Sequence, residues 1–143
     1  MLALTAAPSM AQYRVDRLIT AGRSALFYED YVLSIKYFNL AIGAKPYLYE
    51  PWYFRSVAKF SLDDYMGAES DATEALQLNP YVNDIYDLRA ICRIRQNNYE
   101  DAIKDYNRAI HLVVAHRPSQ VVEIDASQGT VDVAVHPSRL RCI

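Results

Sequence analysis

Residues 52–80 read WYFRSVAKFSLDDYMGAESDATEALQLNP, and the main features of this stretch return at a fixed spacing elsewhere in the chain. Tyrosines lie 34 residues apart, at Tyr31, Tyr65 and Tyr99. An alanine follows ten residues after each of them, at Ala41, Ala75 and Ala109, and Pro46 and Pro80 share the period. Because several residue types agree on one period, the sequence predicts internal repeats.

Each repeat has the residue pattern of two antiparallel helices. We number positions within a repeat from Val15, Tyr49 and Asn83. Positions 8 and 20 hold only small residues, which let two helices approach closely: Gly22, Ser56 and Ala90, then Ser34, Ala68 and Ala102. Proline at position 32 of the first two repeats ends the second helix, because it cannot donate a backbone hydrogen bond. The pattern predicts helices over 13–28, 31–44, 49–62, 65–78, 83–96 and 99–114.

Residues 52–80 and 86–110 closely resemble the tetratricopeptide-repeat (TPR) family, and residues 18–46 match it at their small and aromatic positions. The resemblance implies an all-α fold, a right-handed superhelix of three antiparallel helix-turn-helix repeats, which is an α-solenoid. We expect a TPR domain over residues 12–114, with repeats at 15–48, 49–82 and 83–114. It also implies a scaffold that binds a protein or peptide and is not an enzyme, although the motif does not identify the ligand.

Composition and motifs give no support to other classes of function. The formal net charge is -2 and the pI is about 5.9, so the chain has no basic surface for nucleic acid. Neither a phosphate-binding loop nor a hydrolase or metalloprotease motif is present, and the three histidines lack a metal-ligand spacing. We therefore expect no catalytic residues, no cofactor, no metal and no membrane span.

Two repeats carry opposite charges at facing positions. Arg55 and Asp71 occupy positions 7 and 23 of repeat two, and Arg89 and Asp105 occupy them in repeat three. Repeat one has Ala21 and Tyr37 there instead. Since an unpaired arginine at a helix interface is costly, this co-occurrence predicts a structural ion pair, buried or half-buried, within each of the two repeats. The alternative is that all four side chains point into solvent.

A second face of each first helix predicts the ligand site. Positions 2, 5, 6, 9, 12 and 13 point roughly 150° away from the core positions, at about 100° per residue. In the TPR family this face lines the concave groove. The predicted peptide-binding groove comprises Arg23, Phe27, Tyr53, Phe54, Val57, Asp84, Asp87, Leu88, Ile91 and Arg95. Tyr53 and Phe54 are expected to dominate the affinity, and their replacement to leave the fold nearly undisturbed.

Two alternatives concern this face. The position-12 residues are equally compatible with half-buried packing between repeats: Leu26, Phe60 and Ile94. The carboxylate clamp by which some TPR domains hold chaperone tails needs lysine, arginine and asparagine at five positions. None of these positions matches, because they hold Ile19, Arg23, Phe54, Asp84 and Leu88. Chaperone-tail binding is therefore not inferred.

The two ends of the chain depart from the repeat. Residues 1–11, MLALTAAPSMA, end in a small-x-small sequence that fits the last part of a signal peptide. We expect an exported, periplasmic protein of a bacterium. The alternatives are a disordered N-terminus and a cytoplasmic location.

Residues 115–143 contain the β-branched stretches VVEIDA and TVDVAV but no repeat pattern. This tail is compatible with a small hairpin, a disordered segment or a non-native terminus, and disorder or loose packing is favoured. Repeat three thus lacks the capping helix that usually covers the end of a solenoid. An alternative function follows, namely a structural or oligomerisation arm of a larger or self-associating protein, with a homo-oligomer formed through the third repeat.

Overall fold

A computed structural model describes residues 10–116, and the side chains of residues 14–115. It contains six helices and, within this range, no strand. They are α1 Met10–Phe27, α2 Tyr31–Ala44, α3 Tyr49–Ser61, α4 Tyr65–Leu78, α5 Asn83–Arg95 and α6 Tyr99–His116. The predicted all-α repeat fold is confirmed.

Short turns join the two helices of each repeat. The carboxylate of Asp30 caps α2 by accepting a hydrogen bond of 3.1 Å from the backbone N–H of Leu33. The carboxylate of Asp64 caps α4 in the same way, by accepting a hydrogen bond of 3.0 Å from the backbone N–H of Gly67. The residue before each of these two caps, Glu29 or Asp63, has a positive φ near 60°, as does Asn97 at the equivalent position of repeat three. This left-handed residue reverses the chain within a few residues, so the paired helices run antiparallel.

The packing order of the helices defines an inner and an outer layer. Each helix contacts the next one along the chain. In addition α1 contacts α3 and α3 contacts α5, whereas among the described residues α2, α4 and α6 do not contact one another. The first helices of the repeats therefore lie closer together and form the inner, concave side.

Small residues at positions 8 and 20 allow the paired helices to pack closely, as the sequence predicts. Ser56, Ala68, Ala90 and Ala102 are all buried, and the Ser56 hydroxyl donates to the Ala68 carbonyl oxygen at 2.7 Å. Between repeats two and three, Ala72, Ala75, Leu76, Ile85, Tyr86, Ala109 and Leu112 form one apolar cluster. The solenoid is thus held both within and between repeats by apolar burial.

The ends of the helical region lie close to the predicted bounds of the TPR domain. Helix α1 begins at Met10, inside the segment 1–11, and α6 runs to His116, two residues past 114. The predictions for residues 1–9 and 117–143 lie outside the described residues. None of the helices in the described range is both long and apolar enough to cross a membrane.

Candidate functional site

An aromatic pair lies at the centre of the inner face. The rings of Tyr53 and Phe54, neighbours on α3, are 5.1 Å apart, and both side chains are half-buried. The Arg23 guanidinium of α1 lies over the Phe54 ring at 5.0 Å. The structure therefore brings three of the predicted groove residues together, joining repeats one and two by a cation–π contact.

The same two aromatic residues also contribute to the packing between repeats. Phe54 stacks on the fully buried ring of Phe38 at 5.8 Å, and Tyr53 packs against the apolar cluster between repeats two and three. Truncating either ring removes these contacts together with any ligand contact. These contacts argue against the expectation that replacing either ring leaves the fold nearly undisturbed, and each replacement is expected to lower stability as well as affinity.

Two aspartates on α5 act electrostatically on Tyr53, one member of the aromatic pair. Burial raises the pKa of the Tyr53 hydroxyl, and the nearby charges of Asp84 and Asp87 raise it further. Burial likewise raises the pKa of the Asp87 carboxyl, with a smaller contribution from Asp84. The Asp84 carboxylate accepts a hydrogen bond of 2.8 Å from the side-chain amide of Asn83. This part of the groove is thus acidic and partly dehydrated.

The remaining predicted groove residues extend along the same helices. Val57, Leu88 and Ile91 are half-buried. Phe27 is 80% exposed at the end of α1, where its ring meets Tyr28 edge-on. The Arg95 guanidinium lies over the Tyr65 ring of α4 at 5.8 Å. Phe27 and Arg95 therefore mark the end of the groove that lies away from Asp84.

A shallow depression of about 350 Å³ adjoins the aromatic pair between α1 and α3. It is lined by Asp16, Ile19, Thr20, Arg23, Leu48, Glu50 and Phe54. Leu48 was not predicted, because it lies in the linker before α3 and belongs to no helical face. The depression gives the first two repeats a shallow recess lined by both charged and apolar residues.

Both predicted ion pairs are formed. Arg55 donates to the two carboxylate oxygens of Asp71 at 2.7 and 2.6 Å, and Arg89 donates to those of Asp105 at 2.9 and 2.7 Å. Asp71 and Asp105 are 3% and 4% exposed. Such bidentate geometry compensates the dehydration of the charges, so the alternative of solvated side chains does not hold.

The ion pairs belong to a larger network that sequence reasoning missed. Lys59 and Arg93, both at position 11, form second contacts with Asp71 and Asp105, each at 2.8 Å. The arginines at position 7 also donate to the preceding repeat, to Asn39 Oδ1 at 2.6 Å and to Thr73 Oγ1 at 3.2 Å. The available signal was that cations occur at position 11 in the same two repeats as the ion pairs.

Two kinds of reactive site, a metal centre and an activated thiol, are not found among the residues that the structure describes. In the part of the chain that the structure describes, no group of His, Cys, Asp and Glu is arranged to hold a metal ion. Burial, assisted by the Glu69 charge, raises the pKa of the Cys92 thiol to about 11. Cys92 is therefore a protonated core residue at neutral pH and lacks the thiolate that a nucleophile needs.

Sequence comparisons find partial relatives, and no protein-family model matches the chain. It is 38% identical over 58 residues to the "DnaJ homolog subfamily C member 7 homolog" of Dictyostelium discoideum, a match that spans 41% of this chain and 11% of that protein. It is 32% identical over 87 residues to "Serine/threonine-protein phosphatase T" of Aspergillus oryzae, spanning 59% of this chain and 18% of the relative. The chain thus matches less than a fifth of the length of either relative.

Comparison with solved structures identifies the fold. The first TPR of Spaghetti (RPAP3), bound to the HSP90 peptide SRMEEVD, is 28% identical with a TM-score of 0.68, over 70% of this chain and 79% of that one. The Arabidopsis OM64 TPR domain has a TM-score of 0.71 at 19% identity, over 75% and 88% of the two chains. Residues 10–116 therefore have the tetratricopeptide-repeat fold, with three repeats of paired helices.

Proposed function

We propose that the protein is a non-enzymatic scaffold that binds a peptide segment of another protein in the concave groove formed by α1, α3 and α5. The observation that carries this proposal is the half-buried aromatic pair Tyr53 and Phe54 on α3, together with the half-buried Leu88 and Ile91 on the corresponding face of α5. Apolar and aromatic side chains on a concave face are typical anchors for a ligand.

Solved relatives of the same fold support peptide binding as the kind of activity. The first TPR of Spaghetti, 28% identical to this chain, holds a peptide of the sequence SRMEEVD. We do not propose this acidic peptide as the ligand here. Asp84 and Leu88 occupy two of the positions at which the carboxylate clamp needs cationic or amide side chains, and Asp84 repels a carboxylate.

A randomised library of peptide amides, titrated against the purified full chain by fluorescence polarisation, tests the proposal. Leu88→Glu places a charge in the groove and is expected to weaken the tightest-binding peptide by about tenfold or more. Met66→Glu, on the exposed side of α4, is the matched control and should bind as the wild type does. Circular dichroism checks that both variants are folded. Equal binding by the two variants would contradict the groove as the site.

Self-association is the second candidate function, and the exposed face of α6 favours it. Ile110 is 58% exposed, whereas Leu76 at the same position of repeat two is only 6% exposed, because the helices of repeat three pack against it. Ile103, Val113 and Val114 are also exposed. We call Ile103, Ile110, Val113 and Val114 the α6 stripe. A second copy that covers this stripe would bury it as the next repeat does elsewhere.

Sedimentation equilibrium of the full chain distinguishes this candidate. Self-association through the α6 stripe predicts a concentration-dependent dimer that Ile110→Lys converts to a monomer. Leu40→Lys, at an exposed position of α2, is the matched control and should leave the dimer intact. A monomer at every concentration, or a dimer that Ile110→Lys does not affect, would exclude the α6 stripe.

Export is a separate proposal, supported only by residues 1–11. Cleavage after Ala11 removes just two residues of α1, because this helix begins at Met10. N-terminal sequencing of the protein from its native host tests the proposal. A mature N-terminus at Gln12 is expected, and retention of residues 1–11 would contradict it.

A further inference from the structure

Charge is unevenly distributed along the groove. Asp84 lies in the first turn of α5 and Arg95 in its last turn. These residues are eleven positions apart, which corresponds to about 16 Å along a helix. Arg95 contacts the ring of Tyr65, and Arg23 contacts the ring of Phe54. Among the residues that the structure describes, neither groove arginine forms an ion pair with an aspartate of α5.

Asp87 is the residue whose presence the fold does not explain. Positions equivalent to Asp87 hold Ile19 in repeat one and Tyr53 in repeat two, so the repeat itself does not require an acid there. Asp84 stabilises α5 as a first-turn acid, but Asp87 lies beyond the first turn. No cation and no hydrogen-bond donor contacts Asp87 among the residues that the structure describes.

The surroundings of Asp87 favour a cationic ligand. Its side chain is half-buried next to a second carboxylate, and dehydration of an unpaired charge is unfavourable. Tyr53 occupies on α3 the repeat position that Asp87 occupies on α5, and these two helices are in contact, so the ring and the carboxylate lie on the same face. The charges of Asp84 and Asp87 also raise the pKa of the Tyr53 hydroxyl. An aromatic ring beside two carboxylates suits a planar guanidinium, which stacks on the ring and donates to both acids.

We propose that the groove selects peptides that carry an arginine, whose guanidinium lies between Tyr53 and the carboxylates of Asp84 and Asp87, with an apolar neighbouring residue over Phe54 and Leu88. This inference rests on the proposed peptide-binding function and adds the chemistry of the peptide to it. The geometry assigns the opposite charge preference to that of a groove built for an acidic tail.

Four pools of acetylated nonapeptide amides test the proposal. The pools are identical and randomised except for the central residue, which is arginine, lysine, citrulline or glutamate; the blocked ends remove terminal charges. Citrulline has the shape of arginine without its charge. We expect affinity to fall in the order arginine, lysine, citrulline, glutamate, with arginine at least about tenfold tighter than citrulline.

The Asp87→Asn variant links the preference to this carboxylate. It should bind the arginine and citrulline pools within about twofold of each other, because the close charge pair is lost. Glu100→Gln removes the same charge from an exposed site on α6, where the side chain is 86% exposed, and should keep the full preference. Since the fold raises the pKa of Asp87, Asp87→Asn should be at least as thermally stable as the wild type at pH 7.

The outcomes separate this inference from the proposed function. Equal binding of arginine and citrulline pools by the wild type, or a preference for glutamate, overturns the inference but leaves peptide binding intact. A preference for arginine that survives in Asp87→Asn also overturns it, since the recognition then lies elsewhere. If none of the four pools binds, both the proposed function and the inference fail.

Discussion

The interface between the two helices of a repeat is uncharged in repeat one and ionic in repeats two and three. Positions 7, 11 and 23 hold Ala21, Ala25 and Tyr37 in repeat one. Repeat two has Arg55, Lys59 and Asp71 there, and repeat three has Arg89, Arg93 and Asp105. The backbone accommodates both sets, because all three repeats form the same helix pairs.

The difference correlates with what lies over these positions. In repeats two and three, the second helix of the preceding repeat contributes Asn39 or Thr73, which accepts from the arginine. In repeat one the corresponding face borders an open depression of about 680 Å³, and Arg17 is exposed at position 3. Pro51 and Ile85 at that position are fully buried. The ionic network thus occurs where a preceding repeat buries it and supplies acceptors.

The largest expected effect breaks the network of repeat two. Asp71→Ala leaves Arg55 and Lys59 without their buried anion, so we expect the free energy of unfolding to fall by about 3–5 kcal/mol. Tyr37→Ala at the same position of repeat one should cost less, about 1–2 kcal/mol, because only half-buried apolar surface is lost. Urea denaturation of both variants measures the difference. A loss below about 1 kcal/mol for Asp71→Ala would mean that water compensates the cations.

The second-largest effect is expected from the close packing of Gly22 against the Phe38 ring in repeat one. A Cβ on Gly22 would lie 2.6 Å from the Phe38 ring, which is fully buried and stacked on Phe54. Gly22→Ala should therefore destabilise the protein by about 1–3 kcal/mol.

Gly43→Ala is the matched control for this prediction. Nothing lies within 4 Å of a Cβ at Gly43, so the same substitution should stabilise α2 by up to about 1 kcal/mol. Thermal unfolding of both variants decides. Stabilisation by both substitutions would show that glycine entropy, and not the Phe38 contact, determines the outcome.

The smallest effect compares two buried serines. The Ser34 hydroxyl is buried and, within the described residues, has no hydrogen-bond partner, whereas Ser56 donates to Ala68. Ser34→Ala should stabilise the protein by about 1 kcal/mol, and Ser56→Ala should destabilise it by a similar amount. Alanine already occupies the Ser34 position in repeats two and three. A loss of stability in Ser34→Ala, measured by urea denaturation, would indicate a partner for this hydroxyl.

Sequence reasoning succeeded where one repeat could be compared with another. The period of 34 residues fixed the six helices, and the joint appearance of Arg55 with Asp71 and of Arg89 with Asp105 predicted their contacts. It failed where a contact depends on a residue that the other repeats lack. Phe38 is such a residue: its position holds Ala72 and Tyr106 elsewhere, so its stacking on Phe54 had no counterpart from which to be predicted.

The groove, too, could be predicted from the sequence only in part. Helical geometry placed Tyr53, Phe54 and Arg23 on one face, and the structure brings them together. The extent to which each ring faces the protein depends on the tilt of neighbouring repeats, which a helical wheel does not contain. Whether the exposed half of these rings binds a peptide is still a prediction.

Backbone amide chemical-shift mapping of the isotope-labelled full chain, titrated with the tightest-binding peptide amide, tests the groove most directly. Binding in the concave groove predicts that the largest shifts occur on α1, α3 and α5, around Tyr53, Leu88 and Ile91. The outer helices α2, α4 and α6 should change little. Shifts concentrated on the α6 stripe, or scattered over the outer helices, would contradict the groove as the binding site.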